Sequence, residues 1–177
     1  LGKFFKDNRT HVDYSELSPH LINALVATED ERYYSHSGID FEALARAIVR
    51  LGQNGGGSTV TQQLAKQLFH EPPGSLIGRI MQKFQEWVIA VQLERQYTKE
   101  EIVAMYLNQV DFVYDAVGIK SAASTYFNKA PDSLNIQEAA LFIGMLQNPW
   151  QINPKREQTA PRALERRNVV FGQMLRN

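Results

Sequence analysis

Helix start signals recur along this chain with almost no competing strand signal, and that succession restricts it to a mainly α fold. Ser18-Pro19 sets a cap before a proline in the first turn, after which Leu21, Ile22, Leu25 and Val26 recur at helical spacing up to Glu29-Asp30. Asp40 is placed to cap a second helix with apolar positions Phe41, Leu44, Ala45, Ile48 and Val49, ending at Gly52. Ser58 or Thr59 caps a third, Thr59 and Gln62 being a capping-box pair. Pro72-Pro73-Gly74 breaks the chain before a long helix from about Ser75 to Gln96, and Thr98-Lys99-Glu100-Glu101 opens another through about Asn108. Asn135 with Glu138 starts a helix that is apolar from Ala139 to Leu146 and stops at Asn148-Pro149, and Pro161 marks the start of a last one. No period-2 alternation of convincing length, internal repeat or low-complexity tract interrupts this pattern.

A chain of 177 residues that is 44% hydrophobic is long enough to bury one real core, so a single domain over 1–177 is expected, with room for two lobes. Its 19 basic residues balance 19 acidic ones, so no global field draws it to nucleic acid and any anion site must be local. The absence of cysteine removes disulfides, thiolate catalysis and cysteine-ligated zinc. His11, His20, His36 and His70 lack metal-ligand spacing, so no protein metal site is expected. No stretch reaches the roughly 18 apolar residues of a spanning helix. Because it opens at Leu1, the chain is read as a piece of a longer protein.

Local chemistry concentrates in three places. Glu29 ends an apolar helix, a setting that makes a carboxylate a readier proton acceptor than a free glutamate; the alternative is a solvated Glu29-Asp30-Glu31-Arg32 helix end. His36 is read as bonding the turn before Gly38 and holding the Glu29 loop, with Tyr33 and Tyr34 as packing residues. The run Gly55-Gly56-Gly57-Ser58-Thr59 would let backbone approach an anion at the positive end of the following helix, with Lys66 adding charge. Gly57 stands where a nucleotide P-loop needs lysine, so this is a cradle for a diphosphate of another kind, or a plain capped loop.

On the Ser75 to Gln96 helix, Leu76, Ile80, Phe84, Trp87, Val88 and Val91 share a broad arc expected to enter a core. Arg79, Lys83 and Glu86 gather on the opposite side with Ala90, either as a solvated ion-pair ladder or facing a cleft. Leu68, Phe69, Leu76, Ile77, Ile80 and Met81 around Pro72-Pro73-Gly74 form either an apolar lip for a bilayer surface or ordinary core. Arg162, Arg166 and Arg167 are read as a solvated face rather than a nucleic-acid patch.

Glu29-Asp30 to Gly38, Gly56-Gly57-Ser58-Thr59-x-Thr61-Gln62-Gln63-Leu64-x-Lys66, Lys83-x-x-Glu86-Trp87 through Leu93-Glu94, Thr98-Lys99-x-x-Ile102 to Tyr106-Leu107-Asn108, and Arg166-Arg167-Asn168-Val169-Val170 span nearly the whole chain. Together they resemble the peptidoglycan glycosyltransferase domain (glycosyltransferase family 51) of class A penicillin-binding proteins and their monofunctional relatives. The resemblance implies a lysozyme-like helical domain with a small second lobe beside the active-site cleft. It implies Glu29 and Glu86 as the catalytic carboxylates, and Asp30, His36, Ser58, Thr59, Gln63, Lys66, Arg79, Lys83, Asn108 and Arg166 as the substrate-binding set. The implied substrates are lipid II and a lipid-linked glycan strand, joined by inverting transfer to the acceptor 4-hydroxyl with release of undecaprenyl diphosphate.

A divalent cation, Mg or Mn, is a candidate cofactor by the same resemblance. A membrane surface and a transpeptidase domain in the same chain are candidate partners, at the outer face of the bacterial cytoplasmic membrane. The alternatives are a muramidase-like hydrolase, which needs no cationic diphosphate face, and a non-catalytic lipid-binding scaffold, which needs neither glutamate. Two departures stand out: Gln82 where the family often has arginine, with Arg79 one turn earlier as a substitute, and the stretch Asp111-Phe112-Val113-Tyr114-Asp115-Ala116, where relatives commonly have an aromatic and a glycine.

Overall fold

The computed structural model describes residues 11–49, 57–69 and 75–176. Gly52, Gly55, Gly56 and the Pro72-Pro73-Gly74 break lie outside the described residues. Among the described residues the architecture is helical: α1 Pro19–Glu29, α2 Phe41–Val49, α3 Val60–Phe69, α4 Leu76–Gln96, α5 Lys99–Gln109, α6 Ile119–Phe127, α7 Ile136–Met145 and α8 Ala160–Met174. Extended pairing among them is limited to one isolated bridge between Asp111 and Val117.

The caps read from the sequence carry these boundaries. Asp40 accepts from the Ala43 N–H at 2.9 Å, and Ser75 from the Gly78 N–H at 3.1 Å. Thr98 with Glu101 and Asn135 with Glu138 form reciprocal boxes, each side chain accepting from the other residue's N–H. Such a cap stabilises by about 1 kcal/mol, because it satisfies an N–H that the helix itself leaves unpaired. The expected box at Thr59 is only half made. Its hydroxyl accepts from the Gln62 N–H at 3.1 Å, but the Gln62 side chain donates to the Gly38 carbonyl instead of returning to the cap.

The sequence pattern missed α6. Its N-terminal residue is flanked by Gly118, which has no capping side chain, and its buried positions Ile119, Ala122 and Ala123 are mostly too small to mark an apolar stripe. Asn128 ends it in the left-handed conformation, φ 53°, where its N–H reaches the Ala123 and Ser124 carbonyls.

The backbone divides into two compact units, one built from Leu1–Thr28 and Leu107–Asn177, the other from Glu29–Tyr106. In the first, α7 packs against α8 and buries every residue from Ala139 to Met145, which is why its sequence is apolar on all sides. Phe142 is its centre, meeting Phe112, Phe127 and Tyr126 edge-on at 5.2, 5.3 and 5.7 Å between ring centroids. The atypical stretch after α5 is a tight loop in which Val113, Tyr114 and Asp115 all have positive φ, held by the Asp111 carboxylate on the Val113 N–H.

In the second unit α3 packs against α4, and α4 is turned opposite to expectation. Phe84 and Val88, predicted as core, are 55% and 57% exposed, as is Ile80 at 52%, in line with its alternative place on the apolar lip, whereas Glu86 is 8% exposed and Ala90 is fully buried. The Gly38 turn packs against this inward side, so near the main chain that a Cβ on Gly38 would sit 2.9 Å from the Ala90 carbonyl carbon. On the polar side of α4, Glu86 and Ala90 thus turn inward, while Arg79 near its start is exposed.

Candidate active site

The unit Glu29–Tyr106 collects most of the predicted site residues. Glu29 is the last residue of α1. Its Oε2 accepts a 2.9 Å hydrogen bond from the Gln63 side-chain amide on α3, and the Gln63 carbonyl accepts one from the Tyr106 hydroxyl on α5, also at 2.9 Å. Burial, with the charge of Glu29 second, pushes the Tyr106 phenol up, so it remains a neutral O–H donor.

Asp30 is buried and turned into the unit. Its carboxylate accepts from the Val60 N–H at 3.0 Å, at the positive end of α3, and meets His36 Nε2 at 3.0 and 3.1 Å. An ionised carboxylate only accepts, so Nε2 carries the proton. His36 thus holds Asp30, and Asp30 ties the Glu29 loop to α3. Arg32 pairs with Asp40 and with Glu42. Tyr33 is buried with its hydroxyl on the Lys99 carbonyl, whereas Tyr34, expected to pack, is 55% exposed and meets Tyr33 edge-on.

At the α3 end of the glycine run several N–H groups already have partners. The Val60 N–H is bound by Asp30, the Gln62 N–H by the Thr59 hydroxyl and the Gln63 N–H by the Thr59 carbonyl, so these N–H groups of α3 are engaged within the unit. What the end of the run presents instead is Ser58, whose hydroxyl accepts from Lys83 Nζ at 2.8 Å. Lys83 also bonds Glu86 Oε2 at 3.0 Å. Ser58, Lys83 and Glu86 therefore form one polar cluster, with Glu86 the buried member.

Glu86 itself lines a mostly apolar cavity of about 450 Å³, together with Lys66, Gln82, Gln85, Phe69, Met81, Phe84, Val88 and Ile89. Arg79 is exposed one helical turn before Lys83. Among the described residues no group of three or more His, Asp or Glu side chains gathers as a metal cage, and Glu86 already shares one oxygen with Lys83.

Asn108 and Arg166 fall in the other unit. The Asn108 amide pairs with both the N–H and the carbonyl of Val12, at 3.2 and 2.9 Å, which is a structural task. Arg166 packs on α7, its Cγ 3.2 Å from where a Gly144 Cβ would sit. Sequence reading gave no site role to Tyr106, although it stands in one of the quoted motifs. It also missed the chain from Thr61 through Glu94 to Lys99, bonded at 2.6 and 2.8 Å, which braces α3, α4 and α5. An aromatic hydroxyl inside an apolar helical run was the available signal, since a buried Tyr O–H requires a partner.

The transglycosylase family matches residues 1–175. The chain is similar to penicillin-binding protein 1A of Escherichia coli (strain K12), 36% identical over 179 residues that cover 99% of this chain and 20% of that protein. It is 39% identical over 171 residues to penicillin-binding protein 1A of Aquifex aeolicus (strain VF5), covering 94% and 23%, and 34% identical over 180 residues to penicillin-binding protein 1F of Bacillus subtilis (strain 168), covering 98% and 24%. The chain thus spans about a fifth to a quarter of the length of these relatives.

Proposed function

We propose that this chain, which belongs to the transglycosylase family, is a peptidoglycan glycosyltransferase that polymerises lipid II into glycan strands. The observation that carries the reading is the unit Glu29–Tyr106 itself. It holds a half-exposed carboxylate oriented by an amide, together with a lysine-bearing polar cluster and an apolar cavity beside it. A sugar acceptor, a departing diphosphate and a lipid tail require these three kinds of group.

In the proposed reaction Glu29 takes the proton of the acceptor 4-hydroxyl as that oxygen attacks the donor anomeric carbon. The bond from this carbon to the diphosphate oxygen breaks on the opposite face, and its electron pair leaves with undecaprenyl diphosphate. One displacement inverts the α-linked donor into a β-1,4 linkage. Lys83, with Lys66 and Arg79, balances the charge that develops on the leaving group, and Ser58 offers a hydroxyl beside it. Glu86 holds Lys83 in place until the diphosphate shares it. Were a Mg or Mn ion bound, Glu86 would be the residue to hold it, and the ion would supply positive charge beside the leaving diphosphate; no step above depends on it.

The proposed location is the outer face of the bacterial cytoplasmic membrane, with an anchor and a transpeptidase domain elsewhere in the protein. Among the described residues no helix is long and apolar enough to cross a membrane. The exposed Leu68, Phe69, Ile77, Ile80 and Met81 support contact with the membrane surface.

The test is the purified protein and its Glu29→Gln variant, incubated separately with lipid II and with finished glycan strands. Polymer from lipid II, reduced on the order of a hundredfold or more in Glu29→Gln with the fold intact, is expected. Near-normal turnover by Glu29→Gln removes this residue from the mechanism. Cleavage of finished strands points to a hydrolase, and no reaction with either substrate to a scaffold.

A further inference from the structure

We infer that Tyr106 is a positioning residue that acts through Gln63 to hold the Glu29 carboxylate in one orientation, so that the substrate proton is received on the carboxylate oxygen that Gln63 does not touch. The inference rests on the reading of Glu29 as the base. Its ground is the bonded chain Tyr106 Oη to Gln63 Oε1, then Gln63 Nε2 to Glu29 Oε2, both links at 2.9 Å and all three residues in one unit.

The polarity of that chain follows from what each group can do. An ionised carboxylate only accepts, so the Gln63 NH₂ must face Glu29. This turns the amide carbonyl the other way, into the unit, where it needs a donor or pays the desolvation of an unpaired acceptor. Tyr106 is almost wholly buried and supplies that donor. Burial first, and Glu29's charge second, push its phenol up, so it donates throughout the working range.

One consequence concerns the proton. With one lone pair of Oε2 already accepting from an N–H, Oε1 is the less engaged and more basic oxygen, and the acceptor hydroxyl approaches from that side. A second concerns turnover. Once Glu29 is protonated on Oε1, the Gln63 amide still fits Oε2, so the residue releases its proton without a rearrangement of its neighbours.

The test is a double-mutant cycle on lipid II polymerisation with the purified protein: Tyr106→Phe, Gln63→Ala and the pair, with kcat, KM and thermal midpoint measured for each. Tyr106→Phe keeps the ring and removes the donor. It is expected to lower kcat roughly fivefold to thirtyfold, the range of one buried hydrogen bond, while KM changes less than twofold. In the Gln63→Ala background the same change should alter kcat less than twofold. Full kcat in Tyr106→Phe, or an equal loss in both backgrounds, overturns the inference. Where Tyr106→Phe proves unstable, Gln63→Met keeps the length and removes both amide bonds; a normal kcat there also overturns it. Near-normal Glu29→Gln turnover sinks the base assignment and this inference together, whereas an inactive Glu29→Gln with a normal Tyr106→Phe sinks the inference alone.

Discussion

Gly38→Ala should cost this protein about 2–5 kcal/mol, a sum of two separate penalties. Gly38 has φ 86°, where an L side chain is strained by roughly 1–2 kcal/mol. The new Cβ would lie 2.9 Å from the Ala90 carbonyl carbon and 3.0 Å from both the Ala90 oxygen and the Val91 nitrogen. Main chain inside a helix cannot yield as a side-chain tip can, so overpacking adds about 1–3 kcal/mol. For a chain of this size each kcal/mol moves Tm by about 2–4 °C, so the midpoint should fall by roughly 4–20 °C. The Gly38 carbonyl also accepts from the Thr59 hydroxyl at 2.7 Å and from the Gln62 amide, so the displaced loop should disturb the start of α3 and lower activity as well. Thermal denaturation followed by circular dichroism is the assay. A discriminating control is Ala90→Gly in the same chain: the obstacle is backbone, so removing the Ala90 methyl should give no rescue. A Tm within 2 °C of the parent, or recovery in the double variant, would refute the close approach of the Gly38 turn to the α4 main chain.

Two other perturbations check different parts of the structure. Changing Ile77, Ile80 and Phe84 to serine should weaken binding to anionic vesicles and turnover of bilayer-embedded substrate while leaving Tm within about 2 °C, because these side chains are exposed; a large Tm loss would return them to the core. Stability should decline as pH rises above about 10, because burial, with Glu94 and Asp30 behind it at Tyr33 and Glu29 behind it at Tyr106, raises both phenols above their ordinary value. The folded state then holds protons that the unfolded chain has lost, so stability present below pH 10 drains away above it; Tyr106→Phe should flatten this decline in urea titrations, and equal slopes would refute it.

Much of the helical framework was legible because caps are local. Asp40, Ser75, Thr98 with Glu101, and Asn135 with Glu138 each bond an N–H two or three residues away, so residue order alone reveals them. α6 escaped because glycine and small residues leave no such signature. Glu29, Ser58, Lys83 and Glu86 were recognisable as types in a familiar order, and the Lys83 to Glu86 pair follows from helical spacing, but the Ser58 hydroxyl that joins them comes from 25 residues away.

Periodicity shows that α4 has an apolar and a polar face, and it is silent on which one meets the rest of its unit. A long apolar arc ordinarily goes inward, yet here Glu86 and Ala90 are buried, the Gly38 turn lies against the Ala90 main chain, and Ile80, Phe84 and Val88 are exposed. Likewise, at the start of α3, where the glycine run suggests an anion cradle, the fold brought Asp30, 30 residues earlier, onto the Val60 N–H. Sequence by itself therefore determined most of the helices, their caps and the residue types of the candidate site, since these depend on neighbours a few positions apart. Only the tertiary structure decided the Tyr106 to Gln63 to Glu29 chain, whose links span 43 and 34 residues, because hydrogen-bond polarity in a buried site is set by which distant groups the folded backbone brings within about 3 Å.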